Sequence, residues 1–341
     1  MSKLNKEQKL RTYKCFEERQ YTMITDGGGA YLTIKQVEAR IQLNFDQILD
    51  EIKDSTEVDI VTYSLQKFDF IANLIKAGKK VRIMLNPHSR TFDDAYKQLK
   101  DMGLESSIIR NDTIHSKWIL ADPNFVYTGS QNLVDSDSFE NVLIFNDADL
   151  YSYYKDAFTK ICNDHTRTNT IKPRNKTFIP KNYGNNTSMP YENTSSILVG
   201  PLKIKTSALG TASWNQKFNG YHNKNITITT LTIPSFDYAD MIVGKILAQG
   251  NKLKIIANDI AKDSLKKLKD AHPQLDTCTL PNIHSKLALI SDPQNGRKIV
   301  WSSSQNLGSS TWTEDLIHIK SVRVYDYFWF NLGEVLGRVD D

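Results

Sequence analysis

The sequence predicts an α/β protein built as two tandem domains of one plan, and three observations carry that prediction. A motif occurs twice: His115, Lys117, Asp122, Gly129, Ser130 and Asn132 stand as H-x-K-x4-D-x6-G-S-x-N, and a near copy runs from His284 to Asn306. Six named letters at one spacing arise by chance with odds on the order of 10^-8 per start position. The copies lie 169 residues apart (His115 to His284) in a chain of 341, a domain duplication and not a solenoid repeat. Around each copy, strand-like and helix-like segments alternate in the same order, the pattern of α/β layers with a largely parallel sheet.

Taken in order, the first 18 residues read as a polar helix, and Tyr21–Thr25 as a short strand entering a turn at Asp26-Gly27-Gly28-Gly29. No Lys-Ser/Thr follows the glycines, so they read as a plain loop and not a phosphate loop. Ile34, Val37, Ile41, Phe45, Ile48 and Ile52 recur every three or four residues and predict an amphipathic helix over 33–53. Val58–Tyr63 reads as a strand, 68–77 as a helix stopped by Gly78, Val81–Leu85 as a strand and 92–102 as a helix. The motif strand Trp118–Ala121 turns at Asp122-Pro123-Asn124 into Val126–Thr128. Strand Asn141–Phe145 and a helix over 148–162 complete the half. The second half repeats the order with Ile226–Leu231, Tyr238–Ala248, Gly250, Leu253–Ala257, a helix over 261–271 and Asp315–Ile319, and Ile197–Val199 answers Tyr21–Thr25. The domains are therefore drawn at 1–165 and 195–341, joined by a basic linker over 166–194.

Composition narrows the class. With 40% hydrophobic and 24% charged residues the chain reads as globular. No apolar run approaches the roughly 18 residues of a membrane span, and the polar N-terminus lacks the apolar core of a signal peptide. Cys15, Cys162 and Cys278 are odd in number and without metal-ligand spacing, which suits a reducing cytoplasm. The net charge of +4 is mild but uneven: residues 163–225 hold nine Lys/Arg against Asp164 and Glu192, so that segment is +7 and the rest −3.

The twin motifs suit phosphodiester chemistry. Such a reaction must stabilise a charged phosphoryl group, supply a nucleophile and protonate a leaving oxygen. Histidine serves the last two needs near neutral pH, and lysine offers fixed positive charge to the non-bridging oxygens. On a strand, H-x-K puts both side chains on one face, as does a Ser and Asn pair two residues apart. Two such sets facing each other surround one phosphate with two His and two Lys, with no metal and no cofactor. Asp122 and Asp292 each precede Pro at a hairpin and are assigned to turn geometry. His88, His165, His222, His272 and His318 have no partner spacing and receive no role.

With H-S-K and G-S-x-N present twice, the chain resembles the phospholipase D superfamily and its HKD motif, over essentially its whole length. In the second copy Asp292 comes one residue late and Ser303 replaces the glycine, with Ser304 and Asn306 following. The resemblance implies two tandem α-β-α domains related by a pseudo-twofold axis, with mixed sheets. It implies a covalent phosphohistidine on His115, with His284 as general acid and then base. Lys117, Lys286, Asn132 and Asn306 would hold the phosphate, with Ser130 and Ser304 assisting. Glu140 and Glu314, each eight residues after its motif Asn, would fix the tautomer of an imidazole.

Substrate is read from softer signs. The basic 163–225 segment carries Trp214, Tyr183, Tyr191 and Tyr221 among its lysines, which suits a phosphate backbone and stacked bases. The expectation is a metal-independent cytoplasmic nuclease, DNA ahead of RNA, for which a monomer suffices. The alternatives are a phospholipase D or phosphatidyl transferase acting on phospholipid, since basic residues also favour anionic membranes, and a silent nucleic-acid-binding protein.

Overall fold

The computed structural model describes residues 29–165, 196–208, 214–308 and 312–337. The opening helix, Tyr21–Thr25, the turn up to Gly28 and the basic linker lie outside them. The first run comprises β1 (Gly29–Ile34), β2 (Val37–Arg40), α1 (Phe45–Glu51), β3 (Glu57–Thr62), α2 (Phe68–Lys76), β4 (Lys80–Leu85), α3 (Phe92–Asp101), β5 (Ile108–Arg110), β6 (Trp118–Ala121), β7 (Phe125–Gly129), β8 (Val142–Asn146) and α4 (Ala148–His165). The second comprises β9 (Ser196–Val199), β10 (Leu202–Ser207), α5 (Trp214–Lys217), β11 (Asn225–Thr230), α6 (Phe236–Ala248), β12 (Lys252–Asn258), α7 (Lys262–Ala271), β13 (Asp276–Leu280), β14 (Leu287–Ser291), β15 (Lys298–Ser303), β16 (Leu316–Lys320) and α8 (Val322–Gly337).

The strands form two eight-stranded sheets, ordered β5-β4-β3-β6-β7-β8-β2-β9 and β13-β12-β11-β14-β15-β16-β10-β1. Only β3, β4 and β5 and their counterparts β11, β12 and β13 run parallel. From the motif strands onward the ladders are antiparallel. The sheets are thus mixed and not largely parallel: helices α2 and α3, like α6 and α7, link the parallel strands, and the motif strands return as hairpins.

The two orders match position for position, with one reciprocal exchange. β1 ladders on β10, Gly29 opposite Ser207, in the second sheet, while β9 ladders on β2, Val199 opposite Val37, in the first. A boundary at 195 therefore does not separate the sheets, because 196–199 belongs to the first. A strand is visible in sequence from its own residues, but its neighbour is not.

The helix expected over 33–53 is instead the end of β1, then β2 and the short α1. Val37, Ala39 and Arg40 of β2 are all buried, Arg40 through ion pairs with Glu38 (2.8 Å) and Glu51 (2.7 Å). A strand covered on both faces shows no period of two, so the three-to-four spacing was misleading. Asn44 then starts α1 by accepting from Asp46 N and Gln47 N, both at 3.1 Å. Gly78 and Gly250 do end α2 and α6, with φ of +75° and +76°, a conformation that favours glycine.

The sheets share one core. Along β6, Trp118 and Leu120 enter a cluster that also holds Leu287, Leu289 and Ile317 of the second sheet, while Ile119 and Ala121 face α2 and α3 in an outer cluster. Tyr154 and Phe158 of α4 and Phe328 of α8 fill the shared layer. Burying side chains of this size stabilises by about 1.5–3 kcal/mol each, and the seam they close is where the two motifs meet.

Candidate active site

His115 to Lys117 form an extended segment just before β6, outside its ladder, and His284 to Lys286 stand the same way before β14. Each segment is tied to the other half. His115 N and Ser116 N donate to Thr313 O at 3.0 and 3.1 Å, and His284 N and Ser285 N to Phe139 O at 3.1 and 2.8 Å. Because Glu314 follows Thr313 and Glu140 follows Phe139, the same crossing delivers a carboxylate to each imidazole. Glu314 Oε2 lies 2.9 Å from His115 Nδ1, and Glu140 Oε2 lies 2.8 Å from His284 Nδ1. Each half's acid serves the other half's histidine. With Nδ1–H donating to a carboxylate, Nε2 is left for chemistry on both rings.

The remaining expected residues divide into two groups. Ser130 Oγ donates to Glu140 Oε2 and Ser304 Oγ to Glu314 Oε2. The same hydroxyls accept from Asn141 N (2.9 Å) and Asp315 N (3.1 Å). The serines thus position the glutamates, where assistance at the phosphate was expected. Asn132 Oδ1 accepts from Tyr63 N and Ser64 N, each at 3.2 Å, and Asn306 Oδ1 from Thr232 N at 3.3 Å. With their oxygens held, the amide N–H groups are the part of each Asn that can donate to an anion. Lys117 Nζ and Lys286 Nζ are buried and donate to His115 O and His284 O.

Burial pushes the His115 imidazole down to about 4, opposed by Glu314 and aided by Lys117 and Lys286. Burial also lowers His284, opposed by Glu140 and aided by Lys286 and Lys117. It brings Lys117 down to about 8 and Lys286 to about 7. Burial opposes ionisation of both glutamates, yet His284 and Lys286 hold Glu140, and His115 and Lys117 hold Glu314, below the usual carboxylate range. Each histidine feels the other half's lysine, so the two sets converge on one electropositive site.

Sequence reasoning missed Asn141 and Asp315. Asn141 Oδ1 accepts from Lys286 N at 2.7 Å and its Nδ2 donates to Ser302 Oγ at 2.8 Å, while Asp315 Oδ2 accepts from Thr128 Oγ1. Burial raises Asp315 to about 6. Their place directly after Glu140 and Glu314 was the available signal. Gly129 is needed for close approach, since a Cβ there would meet Asn141 O at 1.9 Å. At the matching position, Ser303 instead donates to Asp315 O at 2.8 Å.

Asp122 and Asp292 are placed as turn residues. Asp122 Oδ1 accepts from Thr56 N (2.8 Å) and Glu57 N (2.6 Å) at the start of β3, and Asp292 pairs with Lys224 at 2.7 Å. Two aromatic side chains of the basic segment can be checked, and Trp214 is not open for stacking bases as expected. Trp214 is fully buried, with Nε1 donating to Asn306 O at 2.7 Å, and Tyr221 is half-buried against a second-half cluster that includes Trp214, Phe218 and Ile226. Lys217 is buried beneath the Trp214 ring at 3.8 Å, where burial lowers it to about 7. Tyr183 and Tyr191 lie outside the described residues.

A family model described as cardiolipin synthase, PLD-like domain, matches residues 48–162, which include the whole first motif and Glu140. This match and the repeated motif support membership of the phospholipase D superfamily. A phosphatidylserine synthase from Haemophilus influenzae Rd KW20 shares its fold with a TM-score of 0.61 at 12% identity, over 95% of this chain and 90% of that one. A polyphosphate kinase from Porphyromonas gingivalis gives 0.55 at 12% identity, over 91% of this chain and 51% of the kinase, so the chain spans about half of that enzyme. No curated protein matches the sequence. At such identities the structural likenesses concern fold alone. The PLD-like match supports phosphodiesterase or phosphotransferase chemistry. Among the described residues, no helix is long and apolar enough to cross a membrane, and no His, Cys, Asp or Glu cluster could hold a metal ion.

Proposed function

We propose that the protein is a phosphodiesterase that cleaves nucleic acid, DNA ahead of RNA, through a phosphohistidine at the site its two halves share. The crossed Glu–His pairs carry this reading, since they leave Nε2 of two opposed imidazoles free beside two buried lysines. His115 Nε2 attacks phosphorus, and the departing alkoxide takes the proton of His284 Nε2. Neutral His284 then takes a proton from water, whose oxygen attacks phosphorus and releases His115 and a phosphomonoester. Lys117, Lys286 and the amides of Asn132 and Asn306 hold the non-bridging oxygens, and one chain is sufficient because it supplies both motifs. Nucleic acid is favoured by the aromatic rings of Tyr63 and Trp312 beside His115, and by the linker's five Lys/Arg against Glu192. A phospholipid is the second reading, favoured by the lipid-synthase names of the matched family and of one neighbour. A silent binder is disfavoured because no His or Lys of the two sets is missing.

The test incubates the protein in EDTA with single-stranded DNA, plasmid, RNA and phosphatidylglycerol vesicles. Cleavage of a nucleic acid is the expected result, and turnover confined to the vesicles would overturn it. In the same assay kcat/KM should fall between pH 7 and 9. The depressed ammonium groups are charged below about 7 at Lys286 and about 8 at Lys117, and neutral above. A profile flat to about pH 9 would show that both keep their charge in the free enzyme.

A further inference from the structure

The pseudo-twofold axis gives each functional group a counterpart, but the surroundings of the two histidines differ. Thr62 and Thr230 are equivalent: each donates from Oγ1 to its motif Asn and accepts the N–H of the next residue, Leu133 or Leu307. The residues that follow them, Tyr63 and Leu231, are therefore equivalent too. So are Trp312 and Ser138, each two residues before the glutamate of its half. On the His115 side the Tyr63 ring lies 5.4 Å from the imidazole and the Trp312 ring 5.1 Å. The two rings stack on each other at 5.6 Å and 28°, and the Tyr63 hydroxyl donates to His88 O at 3.2 Å. Both rings are half-buried, so each keeps solvent-accessible surface beside His115. On the His284 side the same positions hold Leu231 and Ser138. Rings are not needed to orient a histidine here, because Glu140 holds His284 at 2.8 Å without them.

We propose that Tyr63 and Trp312 form a stacking subsite for one unpaired nucleobase, that of the nucleotide retained on phosphorus in the covalent intermediate. The proposal deepens the nuclease reading and rests on it. In-line displacement puts the leaving alcohol opposite the attacking His115 Nε2, on the side of His284, Leu231 and Ser138. A ring lying against the wall beside His115 therefore belongs to the fragment that stays. Bases within a duplex have both faces covered by their neighbours, so a base reaches this wall only from single-stranded or locally unstacked nucleic acid.

The experiment uses single-stranded oligodeoxynucleotides with one cleavable linkage in three forms: intact, abasic on its 5′ side and abasic on its 3′ side. Wild type, Trp312→Ala and Tyr63→Leu are compared in EDTA, and the product bearing the terminal phosphate identifies the retained fragment. Removing the base of that fragment should lower wild-type kcat/KM by about five- to hundredfold, the range expected for one base on an aromatic face. Both variants should show a similar loss on intact substrate and little further loss on the abasic one. Equal losses on all three substrates, or dependence on the departing base, would overturn the proposal while leaving the nuclease reading intact. A wild type that cleaves none of them, nor long single-stranded DNA or RNA, removes that reading and the subsite with it.

Discussion

His115→Asn abolishes turnover, with an expected loss of at least about a thousandfold, because no nucleophile remains to form the intermediate. His284→Asn is equally inactive on a substrate whose leaving alcohol needs a proton, but it fails at another step. With bis(4-nitrophenyl) phosphate the leaving group departs without a proton, so His115 still attacks and the reaction stops for want of a base to activate water. Rapid mixing of His284→Asn with this diester should give a burst approaching about one nitrophenolate per chain, followed by almost no turnover. His115→Asn should give no burst. A burst in His115→Asn alone would assign attack to His284, and substantial steady activity in either variant would sink the shared site.

The crossed pairing sets the second prediction. Glu314 bonds His115 and Glu140 bonds His284, so each glutamate's phenotype should follow its partner across the axis. A glutamine can donate to Nδ1, which forces the proton onto Nε2 and removes the lone pair that attacks or accepts. Losses of about a hundred- to ten-thousandfold are expected, as when a histidine is held in the wrong tautomer. Glu314→Gln should slow formation of the intermediate and show no burst with the nitrophenyl diester. Glu140→Gln should keep the burst and lose turnover. If each acid served the histidine of its own half, these two results would be exchanged.

Much of this candidate site was legible because its residues are set by spacing within each half. His115, Lys117, Asn132 and Glu140, with their second-half counterparts, follow from the motif and its repeat. The crossing of glutamate and histidine was hidden, because it depends on Thr313 O and Phe139 O capturing segments that lie far away in sequence. The roles of Ser130 and Ser304 were misjudged for a similar reason: a hydroxyl beside a phosphate site reads as a phosphate donor until the neighbouring carboxylate is seen. Trp214 and Lys217 looked like surface groups of a basic stretch, yet burial is set by the chain packed over a residue, to which charge counting is blind. The helix expected over 33–53 failed because β2 is covered on both faces, leaving periodicity nothing to discriminate.

Edge strands traded between the halves tie the two sheets to each other. Opening the cleft like a pair of jaws would unzip β1 from β10 and β9 from β2 and bare the core the sheets share. Under the nuclease reading, substrate must reach the two histidines without the halves parting, so a flexible single strand should enter where a stiff duplex is turned away, and the cost of fitting would fall on the ligand.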